Sequence, residues 1–502
     1  MADLPCRSLR ARYVFTGLGP PIAGGTVTLC GPRIIAVGRE THGDLEDLGN
    51  AAILPGLVNA HTHLELSDLD APLGMPGMGL VDWIGLVISH RQRRPQVDPE
   101  GDSPIFASRK SGQSPVARGL AQSRRLGTTS LGEIAQPGWP AELFRSIEDA
   151  SVGADVGRIA NPSAREANLP DGLPIRPTAK PTPICSPLLD AGRIDATVFL
   201  ELIAPTAARV DPVVELARGH LSSPPLPPGE GRGEGIPKQT DDAGNRVLSQ
   251  FPLTPTLSQR ERGSHCTGLA PHAPYSVHPQ LLRQIVRLAQ IEQSPIAFHL
   301  AESREELELL ETGQGPFREM LRAMGVWDDQ QFPGGRRPLD FLEELAAAPR
   351  TLVIHGNYLG EDEIRFLARR ADRMSLVYCP RTHAFFRHAP YPLARLFAAG
   401  VTMALGTDSR ASSPDLSILA EMRFLARQHP EIARPTILRL GTLGGAQALG
   451  TDRLVGTIEP GKLAHLAIVA LADRDAADPY ELLFDSDAPV IGRWWRGEPD
   501  PW

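Results

Sequence analysis

Short apolar runs rich in β-branched and aromatic residues recur along this chain with helical patterns between them. That alternation limits its folding options most, because it prescribes parallel strands joined by crossover helices. Eight such runs can be counted: GLVNAHTH at 56–63, TTSLGEI at 128–134, TVFLELI at 197–203, CTGLAPH at 266–272, PIAFH at 295–299, TLVIH at 351–355, SLVYC at 375–379 and VTMALGTD at 401–408. Eight is the number that closes a parallel sheet into a (β/α)8 barrel of the TIM type. Segments between the runs, such as HPQLLRQIVRLAQ, PLDFLEELAAA and DLSILAEMRFLARQ, space their apolar residues by three and four, as amphipathic helices do. Two β-like flanks lie outside, GGTVTLCGPRIIAVG near the start and LVGTIEPGKLAHLAIVAL near the end, and they are expected to pair into one small β-sandwich. The expected division is a composite sandwich from 1–54 and 455–502 around a barrel at 55–454.

Three stretches break the rhythm: about 98–115, 158–192 and 219–264 are rich in Pro, Gly and Ser without either periodicity, and they read as insertions. In the third, GEGRGEG at 229–235, read from the opposite DNA strand, can encode the PLTPTLS that stands at 252–258. That pattern suits a mobile inverted repeat better than a lid, which would carry an ordered apolar anchor.

Composition excludes several classes. With 502 residues, 41% hydrophobic and 22% charged, the chain can bury one large core, and a net charge of -8 offers no basic footprint for nucleic acid. No run approaches the roughly 18 apolar residues of a membrane span, and the first residues, MADLPCRSLRARYVFTG, lack the apolar centre of a secretion signal. A cytoplasmic protein with a small-molecule substrate is expected, with no nucleic-acid or membrane partner and with room for a homodimer. The five cysteines, Cys6, Cys30, Cys185, Cys266 and Cys379, form no C-x-x-C pair, which argues against a zinc ribbon or a disulfide framework. Lysine is scarce: there are four, Lys110, Lys180, Lys238 and Lys462, three of them in or beside the insertions.

The chemistry gathers at the carboxyl ends of the runs. His61 and His63 end the first, where alternate residues share a face and both imidazoles can point into the barrel mouth. An H-x-H pair alone is weak, since two surface histidines look the same. His299 closes the fifth run, His355 the sixth and Asp408 the eighth, at the face where barrel enzymes place their sites. Together they point to a metal centre, and nitrogen and oxygen donors in this number suit Zn2+ or Fe2+. Such a metal lowers the pKa of water towards about 7, and a general acid/base is then needed nearby. Glu302 stands three residues after His299 and can fold back over the site; otherwise it is a helix-start glutamate favoured by the macrodipole. His272, in PHAPYS, faces the same mouth as a substrate contact, or is a turn histidine packed between prolines. Arg381 and His383, after the seventh run, would grip a polar or anionic substrate edge or stand solvated. Glu65, Trp83 and Glu133 are weaker candidates, and Trp83 also fits the core.

The ordered set PGLVNAHTHLE, HAPYS, FHLAES, VIHGNYL, CPRTHAFF and LGTDS, closed by VGTIEPGKLAHLAIV, spans most of the chain. It resembles the amidohydrolase superfamily, and within it the cytosine, guanine and adenosine-derivative deaminases, aminodeoxyfutalosine deaminase among them, with the related chlorohydrolases. The resemblance implies His61, His63, His299 and Asp408 as ligands of one metal, zinc or iron. It implies Glu302 as the proton shuttle, with His355 contacting the reactive water or substrate and Asp408 polarising that water. Two departures bear on specificity. Adenosine-type relatives carry a carboxylate for the ribose diol after the Trp of the first long loop, where VDWIGLVISHRQ has none, leaving Glu65 as a substitute. Thr382-His383 stands where many relatives show Ser-Asn. The expected activity is hydrolytic deamination of an aminated heteroaromatic ring, a purine nucleoside derivative. The rivals are a chlorohydrolase, a ring or amide hydrolase at a binuclear centre, and an inactive binding scaffold. The binuclear case resembles dihydroorotase and needs a carboxylated lysine, but no barrel run contains a lysine.

Overall fold

The computed structural model describes residues 6–93, 114–138, 193–222 and 266–500. The three expected insertions lie outside the described residues except at their edges. There, residues 114–115 begin a helix, Pro115–Arg125, whose Ser114 side chain accepts from the Ala117 amide, and residues 219–222 finish the helix Val210–Ser222.

Eight parallel strands form the barrel: Leu57–His63, Thr128–Ala135, Asp195–Leu202, Cys266–Pro271, Ile296–Leu300, Thr351–His355, Met374–Tyr378, and an eighth split into Met403–Leu405 and Asp408–Ser409. Each pairs with the next in chain order. The two pieces of the eighth strand join opposite neighbours, since Leu405 pairs with Tyr378 while Asp408 pairs with Thr62, and so the sheet closes on itself. The seam is reinforced inside: the Asn59 side chain donates to Thr407 Oγ1 at 2.8 Å and accepts from the Thr407 amide at 3.2 Å. Gly406 permits the approach, because a Cβ there would lie 2.9 Å from the Cβ of His61 and 3.1 Å from Cys379 Sγ.

Apolar residues fill the barrel interior, among them Val58, Ile134, Phe199, Ala297, Ile354 and Ala404. Helices wrap the outside. Pro279–Glu292, Pro338–Leu345 and Ile418–Gln428 form where three- and four-residue spacing lets one face bury. The Ser417 hydroxyl caps the last of them by accepting from the Ala420 amide at 3.1 Å.

The flanks do not pair with each other as a continuous ladder. Thr26–Cys30 and Arg33–Gly38 belong to a four-stranded sheet from the start of the chain. Leu466–Ala470 instead pairs antiparallel with Ala51–Pro55 in a second, six-stranded sheet drawn from both ends. Leu9, Val27 and Ile34 of the first sheet meet Ile53, Leu466 and Trp494 of the second in one core. The two flanks therefore face each other across this sandwich core, and at one edge they join directly, where the Ile34 amide donates to the Lys462 carbonyl at 2.9 Å, the Gly461 amide to the Ile34 carbonyl at 2.8 Å and the Ala464 amide to the Pro32 carbonyl at 2.8 Å. The cysteine reading also needs correction: Cys6 and Cys30 are joined by a disulfide. They stand directly opposite on neighbouring antiparallel strands, a juxtaposition that a separation of 24 residues does not reveal.

Candidate active site

The first strand delivers His61 and His63 together, and a bulge between Asn59 and Thr62 lies beside them. Both imidazoles converge on Asp408, with Nε2 of His61 3.6 Å and Nε2 of His63 3.7 Å from its Oδ1. The potential ligand atoms of His61, His63 and His299 lie within 4.8 Å of one another, and so do those of His61, His355 and Asp408. His299 follows from simple alternation at the end of the fifth strand. Its Nδ1 donates to the His272 carbonyl at 3.1 Å, which turns Nε2 towards the cluster.

His355 reaches the site by a different route. Leu352 and Ile354 of its strand face the barrel interior while Val353 faces the outer helices, so alternation alone would send His355 outward. A left-handed backbone at His355, φ 67°, followed by Gly356 at φ 59°, breaks the alternation and brings its ring to 5.4 Å from that of His299. Asp408 at φ 54° and Ala301 at φ 52° are left-handed too. Non-glycine residues adopt this conformation at a cost of about 1–3 kcal/mol, and such strain gathers at functional sites.

Glu302 precedes the helix Arg304–Thr312, whose first-turn acids are Glu305 and Glu306, so it is not a macrodipole glutamate. Its loop is held by Glu306, which accepts from the amides of Ala301 at 2.8 Å and Glu302 at 2.9 Å. The Asn357 side chain donates to the Glu302 carbonyl at 2.8 Å. The carboxylate itself turns back to His355, Oε1 lying 3.4 Å from Nε2. Burial first, then the negative charges of Asp408, Glu306 and Glu305, push the Glu302 carboxyl well above its usual range. Burial also drives His63 and His355 down to about 3 and His299 well below its usual value, so these rings are neutral lone-pair donors. For Asp408 burial acts upward but is outweighed by His61, His63 and His355, which hold it well below the carboxylate range. The Ser412 hydroxyl donates to its Oδ2 at 2.5 Å.

Among the described residues His61 Nδ1, His61 Nε2 and His63 Nδ1 are buried without a hydrogen-bond partner. Buried polar atoms are rarely left so, and neutral imidazoles crowded around an ionised carboxylate are the donor set that a divalent metal satisfies.

A cavity of about 170 Å3 opens over this cluster. Its walls are largely apolar, with Trp83, Val87, Met320 and Met324 among them, and Tyr275 and His272 stand at one side. Trp83 also donates from Nε1 to the Ala411 carbonyl at 3.1 Å and packs edge-on against Phe386. Arg381 and His383 do not line the cavity. The Arg381 guanidinium is engaged by Glu421 at 2.6 Å and Asp415 at 2.7 Å, and His383 Nε2 meets the Ala389 carbonyl at 3.0 Å. Glu65 is turned to Arg91, 2.9 Å from Nε and 2.5 Å from Nη2, and lies behind the wall. Glu133 accepts the Leu64 amide with both oxygens, at 2.9 and 3.1 Å, fixing the turn after His63.

Two charged lining residues are not among the candidates drawn from the sequence, Glu201 and Arg91. Glu201 lies in the third run, where a lone acid in a buried apolar strand was the available signal. Arg91 sits in the last turn of the helix Leu80–Gln92, where a basic residue is ordinary and gives no signal of a site.

The profile of the amidohydrolase family matches residues 252–497. The match takes in just under half of the chain. Among its relatives, an aminodeoxyfutalosine deaminase of Deinococcus radiodurans is 24% identical over 466 residues, 88% of this chain and 86% of that protein. A 5-methylthioadenosine/S-adenosylhomocysteine deaminase of Pelotomaculum thermopropionicum is 35% identical over 208 residues, 40% of this chain and 42% of its own length. The chain thus matches less than half of that second relative. A solved adenosine deaminase from Xanthomonas campestris with bound zinc superposes at a TM-score of 0.59 and 22% identity, covering 98% of this chain and 92% of that one. At such identity the likeness speaks for the barrel fold.

Proposed function

We propose that the chain is a metal-dependent hydrolase that removes the amino group of an aminated heteroaromatic ring, a purine nucleoside derivative. The observation that carries this reading is the Glu302–His355 pair, 3.4 Å apart, set over four convergent ligand groups in an apolar cavity. His61, His63, His299 and Asp408 would hold one divalent metal, zinc in preference to iron, as in the zinc-bound Xanthomonas structure. A divalent metal so held supplies Lewis acidity that brings the pKa of water to about 7.

The protein's own groups supply the rest. Water adds at the ring carbon that bears the amino group; one of its protons goes to a ring nitrogen and the other passes from the added hydroxyl to the amino group, so that the carbon–nitrogen bond breaks and ammonia leaves behind a carbonyl. Glu302 takes the proton from the water and delivers it to a ring nitrogen, a transfer suited to a carboxyl that burial and neighbouring acids make a stronger base than an ordinary glutamate. His355, neutral, hydrogen-bonds the incoming oxygen. Asp408, ionised and steadied by Ser412, accepts from the same water and fixes its orientation. The apolar walls keep bulk water from competing.

The lysine census supports a mononuclear centre: among the described residues Lys462 alone is a lysine, and it lies outside the barrel strands. Ammonia release measured across purine, pyrimidine and triazine compounds tests the proposal. Turnover confined to aminated purine nucleosides is the expected result. Silence from metal-loaded protein, or halide release from chlorinated triazines, would count against it.

A further inference from the structure

Two acceptors face each other across the cavity without a donor between them. Glu201 ends the third strand, buried, with Oε2 bound to the Gln136 amide. Its other oxygen, Oε1, lies 3.9 Å from Nε2 of His272, too far for a direct hydrogen bond. The Ser276 hydroxyl lies 3.2 Å from the Ala273 carbonyl and 2.7 Å from His272 Nδ1; with its proton on the carbonyl, the imidazole proton is on Nδ1 and Nε2 presents a lone pair to Glu201. Among the described residues no group donates to either atom within hydrogen-bond distance, although both residues line the cavity.

The position fits a substrate's non-reacting part. The His272 ring is 5.0 Å from that of His299, which is in turn 5.4 Å from His355, so the acceptor pair sits one imidazole beyond the reacting end. Glu65 cannot take this role, because its carboxylate is turned to Arg91 behind the wall.

We propose that Glu201 and His272 form the receptor for two neighbouring hydroxyl donors of the substrate, the 2′,3′-diol of a ribose. This assignment rests on the reading of the chain as a nucleoside deaminase. A diol supplies two O–H donors at the spacing of two facing acceptors, whereas an anionic group would be repelled by the carboxylate.

Glu201→Gln, compared with the parent on adenosine and on 2′,3′-dideoxyadenosine, tests it by ammonia release. The parent should favour adenosine by about 10- to 100-fold in kcat/KM, the range for hydrogen bonds to a charged group. In the variant that preference should collapse through a rise in KM for adenosine, with the dideoxy substrate changed less than about twofold. Equal losses on both substrates would show a merely structural role and overturn the proposal. Should the variant not fold, the parent still decides, because equal kcat/KM for the two nucleosides would overturn it too. No ammonia from either nucleoside with metal-loaded parent would instead sink the deaminase reading on which the assignment depends.

Discussion

In the proposed reaction Glu302 is the proton carrier, and Ala301, Glu306 and Asn357 hold its loop against His355. Glu302→Gln keeps the shape and removes the proton carrier, so turnover should fall by about 100-fold to 10000-fold while metal content, read by elemental analysis, stays near the parent's. Metal loss in that variant would place Glu302 among the ligands. Asp408→Asn should behave differently, losing metal as well as turnover, because the change removes the charge on which His61 and His63 converge. Retention of full metal content by Asp408→Asn would contradict this arrangement. Much at this scale was legible: His61, His63, His299 and Asp408 stand at strand ends that periodicity locates. The route of His355 was not, because a positive φ leaves no trace in side-chain pattern when the residue is not glycine. Glu201 is not legible because a single buried acid has no partner in sequence; its hydrogen-bond partner Gln136 and its neighbour His272 directly follow two other strands.

At the scale of elements, the strand runs were read closely, since full burial makes a parallel strand a continuous apolar segment. The sandwich built from the two flanks is legible in the sequence, but its strand order is not, because hydrophobic alternation shows that a strand has an inner face, not which strand lies beside it. One junction is fixed by charge instead of apolar surface. Asp500 is bonded to Arg493, 2.7 Å from its Nε, and to Arg124 of the helix Pro115–Arg125, 3.0 Å from its Nε, and all three are buried. Arg493 further donates to the Thr128 carbonyl at 2.6 Å, tying the last long strand to the second barrel strand. Asp500→Asn would remove the buried carboxylate charge that Arg493 and Arg124 share. It should destabilise the fold by about 3–5 kcal/mol in urea unfolding, with little effect on the KM of folded protein. A change under about 1 kcal/mol would show that the pair contributes nothing net.

On the scale of the whole molecule, the described residues on either side of the third expected insertion stand at the end of the barrel away from the site. The helix Val210–Ser222 precedes the insertion and the fourth strand begins at Cys266, so both flanks lie at the amino-terminal face. The ligand groups all stand at carboxyl ends. Replacing 226–262 by a short Gly/Ser joint should therefore keep fold and turnover, as loop closure changes by only about 0.6 kcal/mol per doubling of length. Loss of turnover in a folded deletion variant would show that the segment serves the site. The central claim is that one metal, held by His61, His63, His299 and Asp408, serves one deamination site. Stepwise addition of zinc to chelator-stripped protein, with ammonia release from an aminated purine nucleoside followed at each step, tests it most directly. The account predicts no ammonia from stripped protein and a linear rise that levels off at one equivalent per chain. A plateau reached only at two equivalents, or turnover that survives stripping, would contradict it.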